Sequence, residues 1–355
     1  MDINRIIMSI FALGAIVGGI DFIFGSKHEY GKQFESAIKM MAPSAFNMVG
    51  IVCLTPSIAL VLKRVIAPLF EMLGIDPAMA GGVLALDMGG YPLAMELASE
   101  RVIGRYSGIL VGCIFGCTLV FVIPFGMGVI RKETQKDFIQ GIIIGLIAMP
   151  AGLIAGGCVM GVNIVHLLFQ TLPVIICSLL LILGLIKLPD KMVRFFQIFA
   201  EGLKYLIRFG LVIAAVFYLL DFNTQYLYSI TDGMGIVVNI TLVLLGSLPF
   251  ASILQKLLAK PLKALGKTFH IQEKGCLALL IALVSSVPVF TMLDDMDRRS
   301  CIVVSAFTID AAAILGAHLA YTAANDSFMT GPLLVCKAFA GIVAVIIALV
   351  YSNKS

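Results

Sequence analysis

Eleven apolar segments, most about as long as a bilayer is thick, run through this chain of 355 residues; they lie near 5–24, 40–62, 78–98, 106–130, 138–160, 162–186, 204–222, 234–257, 276–292, 301–321 and 331–351. A helix needs about 20 residues to cross the hydrocarbon core. Backbone in lipid must satisfy its own hydrogen bonds, and a helix does so within one segment. Few folds other than a helical bundle remain open to such a chain. Composition agrees, with 60% hydrophobic and only 13% charged residues, where soluble domains carry about 25% charged. The expectation is an all-α integral membrane protein: one polytopic membrane domain over 1–355, a bundle of about 11 (10–12) transmembrane helices.

Several function classes are disfavoured at once. The net charge of +4 is small and spread through loops, so nucleic acid is not an expected partner; the lipid bilayer is. The first block, Arg5–Phe24, has no small-residue cleavage site behind it and reads as a span, not a removed signal. The eight cysteines lie in or beside apolar runs without a C-x-x-C pair, as small buried hydrophobes do. No Walker loop, dinucleotide fingerprint, H-E-x-x-H or G-x-S-x-G is present. We therefore expect no cofactor, no metal site, no ATP-driven step and no enzyme.

A weak internal repeat divides the chain. Ile20-Asp21-Phe22 recurs as Leu220-Asp221-Phe222, LDMGGYPLAMEL from Leu86 lies over ALVSSVPVFTML from Ala282, and FIQG from Phe138 over FMTG from Phe328. This gives two related five-span units, 1–160 and 204–355. Residues 161–203 join them, holding a linking span and a basic, aromatic interfacial stretch. With five spans per unit, a linking segment that crosses makes the units parallel, and one that does not makes them inverted. If all eleven segments cross, sixteen Lys and Arg lie on the side of the N-terminus against eight opposite, which puts the N-terminus in the cytoplasm.

Two segments look broken. Segment 3 carries Asp87, Gly89, Gly90 and Pro92, then Glu96; segment 9 is short and interrupted by Ser-Ser-Val-Pro at 285–288. Glycine releases helical dihedrals, and proline removes a donor and clashes with the preceding turn. Backbone freed at membrane depth must face protein or line a wet cavity, and an ionisable group there marks a functional site by default. Asp87 is the leading candidate, with Tyr91 one turn on; its alternative is a carboxylate satisfied inside the bundle. Asp310 is the second intramembrane carboxylate, a candidate for substrate or for a coupling ion. Asn47, flanked by Pro43 and Gly50, is a substrate candidate; Asn239 is its counterpart and a coupling-ion candidate, although span amides often only join helices. Glu96 lies near a span end, where a solvated carboxylate is the ordinary outcome. For His318 and His166 a packed core histidine is the better reading.

The stretches PSAFNMVG (43–50), GIDPAMAGG (74–82), LDMGGYPLAMELA (86–98) and FTIDAAAILGAHLAY (307–321) resemble the EutH family, the ethanolamine utilisation permeases of bacteria. The resemblance implies a multi-pass secondary transporter of the bacterial cytoplasmic membrane that imports ethanolamine. Its site would then hold an ammonium and a hydroxyl: Asp87 with Asp310 in reserve and the carbonyls at Gly89 and Gly90 for the first, Tyr91 as a cation–π face, and Asn47 for the second. Carriers of another small cation or metabolite, and a membrane sensor or structural subunit, are the alternatives. Proton or sodium coupling and oligomerisation stay open.

Overall fold

The computed structural model describes residues 3–84 and 90–352. In chain order its helices are α1 (Ile3–Ile23), α2 (Glu29–Lys39), α3 (Met41–Val65), α4 (Ala67–Met72), α5 (Ala78–Val83), α6 (Gly90–Leu97) and α7 (Arg101–Arg105). The chain continues from α7 through π-helical turns at Tyr106–Gly116 and Thr118–Val122 into α8 (Ile123–Val129). Then come α9 (Lys132–Val159), α10 (Ile164–Lys187), α11 (Pro189–Leu219), α12 (Ile230–Thr268), α13 (Glu273–Ala282), α14 (Val287–Leu293), α15 (Arg298–Ala311), α16 (Ala317–Asn325) and α17 (Thr330–Ser352). No strand occurs among the described residues. The protein is an all-α polytopic membrane protein.

Eight helical stretches among the described residues are long and apolar enough to cross a membrane. The other three apolar segments are each two short helices. Segment 3 is α5 and α6, segment 9 is α13 and α14, and segment 10, expected as an unbroken span, is α15 and α16.

The first two pairs are hairpins. Gly81 lies against the backbone of Ala94, where an added Cβ would come within 2.7 Å. The Asp76 carboxylate, before α5, accepts from the amides of Ser99 (3.2 Å) and Glu100 (2.7 Å), after α6. In the second pair, Lys274 at the start of α13 meets Asp295 beyond α14 at 3.1 Å. Gln272 accepts from the amide of Asp297 at 3.1 Å. Each of these two pairs therefore enters and leaves on one side of the bundle.

Segment 10 runs lengthwise through the bundle beside α9, with a break in its middle. Its partners explain why an alanine-rich run leaves the helix. The amides of Ala313 and Leu315 donate to Ala282 O (2.9 Å) and Leu283 O (2.8 Å), at the turn between α13 and α14. Ala313 takes a left-handed φ of +57°. Gly316 packs so closely on the Val284 carbonyl that no side chain fits.

Glycine contacts fix the helix directions. Gly14 and Gly18 of α1 meet Gly246 and Pro249 of α12, so these two run parallel. Gly141 and Gly145 of α9 meet Ser305 and Ile309, so α9 parallels α15; Gly152 and Gly156 meet Ala340 and Pro332, so α9 opposes α17. The Thr330 hydroxyl lies 3.3 Å from the Asn4 side chain, putting the starts of α1 and α17 on one face. We call this the first face. The α5–α6 hairpin enters from it, and the α13–α14 hairpin enters from the second face.

Candidate functional site

The two breaks that bond to each other, Leu283–Ser286 and Ala312–Gly316, form one wall of a cavity of about 670 Å³. Asn47 of α3, Ser252 and Gln255 of α12, Cys117 and Phe121 of the π-helical region, Ser285, Ser286 and His318 complete much of its lining. It runs from the breaks toward the second face, where Gln33, Ser36 and Met40 of α2 and its C-terminal end border it. Wide π turns are uncommon and concentrate at functional sites, and Cys117 sits between the two π stretches. The polar lining is made of hydroxyls, side-chain amides and the His318 imidazole; no carboxylate is among the described lining residues. The carbonyl ends of α13 and α15 and the amide ends of α14 and α16 all meet at this wall, so it carries partial charges of both signs.

Behind that wall lie two buried ionisable side chains, Asp310 and Lys337. Asp310 is fully buried in the last turn of α15, and neither carboxyl oxygen has a hydrogen-bond partner. Lys337 of α17 is 1% exposed. Its Nζ donates to Ala312 O at 2.9 Å and reaches Asp310 O at 3.5 Å. The lysine thus holds the unwound end of α15 from the side opposite the cavity.

Of the residues expected from sequence, Asn47 lines the cavity and Asp310 stands behind its wall. Tyr91 does not reach it: its hydroxyl donates to Asp326 at 2.9 Å, and its ring meets Tyr321 edge-on. Asp326 is also paired with Arg105 Nε at 2.7 Å, and Arg105 lies over Phe328. This cluster ties α6, α7 and the end of α16 together near the first face, on the closed side of the cavity. Glu96 accepts from the Tyr228 hydroxyl and lies 4.0 Å from Lys63, also near the first face. Burial and the Glu96 carboxylate push the Tyr228 phenol up to about 12, so it remains a donor at any physiological pH. Gly90 is buried at the start of α6, and Asn239 is exposed on α12; neither lines the cavity. Asp87 and Gly89 lie outside the described residues.

Sequence reasoning sees in Lys337 only the one obvious in-span partner for Asp87, and it missed the serines at 252, 285 and 286 and Gln255 as cavity residues. A lysine in the otherwise apolar α17 was the one available signal. It also missed Asp76, whose Asp-Pro pair is a turn signature. Besides Ser99 and Glu100, its carboxylate accepts from the Ala78 amide at 2.8 Å, while its own amide donates to Gln170.

The family model described as "Ethanolamine utilisation protein, EutH" matches residues 3–351. A probable ethanolamine permease EutH of Listeria monocytogenes is 36% identical over 356 residues, covering 100% of this chain and 95% of that protein. Its counterpart in Escherichia coli K12 is 34% identical over 394 residues, covering 100% of this chain and 97% of the relative. An uncharacterized protein of Bacillus subtilis, YxeR, is 31% identical over 346 residues, 97% of this chain and 94% of its own length. No solved structure matches the chain.

Proposed function

Because the chain belongs to the EutH family of ethanolamine utilisation proteins, we propose that it is a secondary carrier importing ethanolamine across the bacterial cytoplasmic membrane, with the cavity at the paired breaks as its substrate site. The observation that carries this reading is the cavity itself. Two interrupted helical segments meet and bond to each other inside the bundle beside a polar-lined space, the construction that carriers use to bind small solutes. An aliphatic amine has a reference pKa of about 10.4 and is an ammonium ion at neutral pH. The serine hydroxyls and the Asn47 amide supply acceptors for it, and Phe121 supplies an aromatic face. Gln255 and Asn47 can both donate to and accept from the substrate hydroxyl.

The same reading takes the two units as inverted. α1, α2–α3, α7–α8 and α9 cross before α10; α11, α12, α15–α16 and α17 cross after it. With an even number of crossings on either side, a linking helix that itself crosses turns the second unit over. Asp76 and Gln272 support the correspondence, since each accepts an amide from the far end of its own hairpin.

Treating the hairpins as non-crossing also reverses the charge argument. Arg5, Lys63, Arg64, Arg101 and Arg105 belong to the first face. Arg131, Lys132, Lys136, Lys187, Lys191, Arg194, Lys256, Lys260, Lys263, Lys267, Lys274, Arg298 and Arg299 belong to the second. The second face is then cytoplasmic, the N-terminus external, and the cavity open inward.

The test is uptake of labelled ethanolamine by proteoliposomes at acidic pH, where the freely permeant neutral amine is scarce. Saturable uptake, blocked by excess unlabelled ethanolamine, is expected. Uptake no faster than in empty liposomes, with the protein shown folded and inserted, would reject ethanolamine as the substrate.

A further inference from the structure

Lys337 sits where a small cation would be expected. Two backbone carbonyls hold its ammonium, Ala312 O at 2.9 Å and Asp310 O at 3.5 Å, while the Asp310 side chain, on the same turn, acts on it only through space. Unwound carbonyls at a half-helix C-terminus are the donors with which broken-helix carriers coordinate sodium. The end of α15 adds its partial negative charge. A buried carboxylate without a hydrogen bond is very costly unless a cation compensates it. Cys336 and Cys113 are the other titratable groups close by. Among the described residues neither Asp310 nor Lys337 makes a side-chain ion pair within 4.0 Å, with each other or with any other group, and the Asp310 carboxyl oxygens accept no hydrogen bond.

We propose that Lys337 is a tethered cation filling a monovalent-cation site whose ligands are the Asp310 and Ala312 carbonyls and whose countercharge is the Asp310 side chain, so that the native protein binds no sodium there and transports without it. The lysine supplies internally, and permanently, the charge that a coupling ion would bring. Holding Ala312 from behind, it also keeps the α15 break open on the cavity side. This assigns Asp310 to the lysine and not to a mobile ion. The sodium-independence of uptake rests on the carrier reading above; the filled cation site does not.

The decisive measurement needs no substrate. Purified wild type and Lys337→Ala are melted in sodium chloride and in caesium chloride at equal ionic strength, and radioactive sodium binding is measured on both. The wild type is expected to show no sodium-specific shift. Lys337→Ala is expected to melt lower, to regain about 3–5 °C in sodium at saturation, and to bind sodium. The neutral double variant Lys337→Met with Asp310→Asn is expected to fold and to lose the sodium response. Sodium binding by the wild type, or a folded Lys337→Ala that ignores sodium, overturns the proposal. If the single variant does not fold, wild-type uptake decides: equal initial rates with and without sodium support the proposal, and a sodium requirement overturns it. Absence of any ethanolamine uptake would count against the substrate and leave the sodium-binding result standing.

Discussion

Replacing Gly316 by alanine should cost most of the transport activity, because this residue sets the distance between the two breaks. An ideal Cβ at Gly316 falls well inside 3.0 Å of the Val284 carbonyl oxygen, a separation real Cβ atoms do not show. The opposing atom is backbone and cannot rotate away, so the turn at 283–286 must retreat by roughly 1 Å. The neighbouring bonds, Leu315 N–H to Leu283 O at 2.8 Å and Ala313 N–H to Ala282 O at 2.9 Å, stretch beyond hydrogen-bonding distance with that movement. Each buried amide left unsatisfied costs about 1–3 kcal/mol, so the pair amounts to roughly 2–6 kcal/mol. If only about 2 kcal/mol of this falls on the transporting conformation, the rate drops by more than tenfold. The assay is the initial rate of labelled ethanolamine uptake per inserted protein, with thermal unfolding measured on the same preparation. Gly128→Ala is the control, since nothing lies within 4 Å of its added carbon. A Gly316→Ala protein with wild-type uptake and melting would refute both the pairing of the breaks and their place in transport.

Asn47→Leu removes a polar group from the cavity wall while leaving the fold intact; the half-saturation concentration for ethanolamine is expected to rise about tenfold, the loss of one hydrogen bond to a charged ligand, and unchanged uptake kinetics would take Asn47 out of the site. Asp76→Ala strips three amides of their acceptor at the base of the first hairpin; we expect about 3–5 kcal/mol of destabilisation, read as a lower melting temperature and faster proteolysis near 76–100, and a wild-type melt would refute the staple. For orientation, a cysteine at Asn223 should react with an impermeant maleimide on intact cells, and one at Lys263 only after permeabilisation; the opposite pattern would restore a cytoplasmic N-terminus.

Much of the architecture was legible in the residues alone, for identifiable reasons. Segment length and apolarity demand membrane helices, because lipid offers the backbone no partners. Gly90, Pro92 and the Ser-Ser-Val-Pro run announce breaks because their local chemistry opposes a helix. Asn47 stood out as an amide in a loosened turn, and it lines the cavity.

Whether a broken segment crosses or turns back was beyond the sequence, since both courses bury the same apolar residues. Tertiary contacts decide it: Asp76 meeting Glu100, and Lys274 meeting Asp295, close each hairpin on itself. That one distinction changes the parity of the repeat and the sign of the charge argument. The break in α15–α16 was equally hidden, because Ala311–Ala312–Ala313 favours helix. It opens only because two amides find carbonyls on another segment and Lys337 holds the third. Local composition determined that this chain enters a bilayer and roughly where its helices fail. Long-range pairing of backbone and charge, which composition does not encode locally, decided where those failures meet and what they enclose.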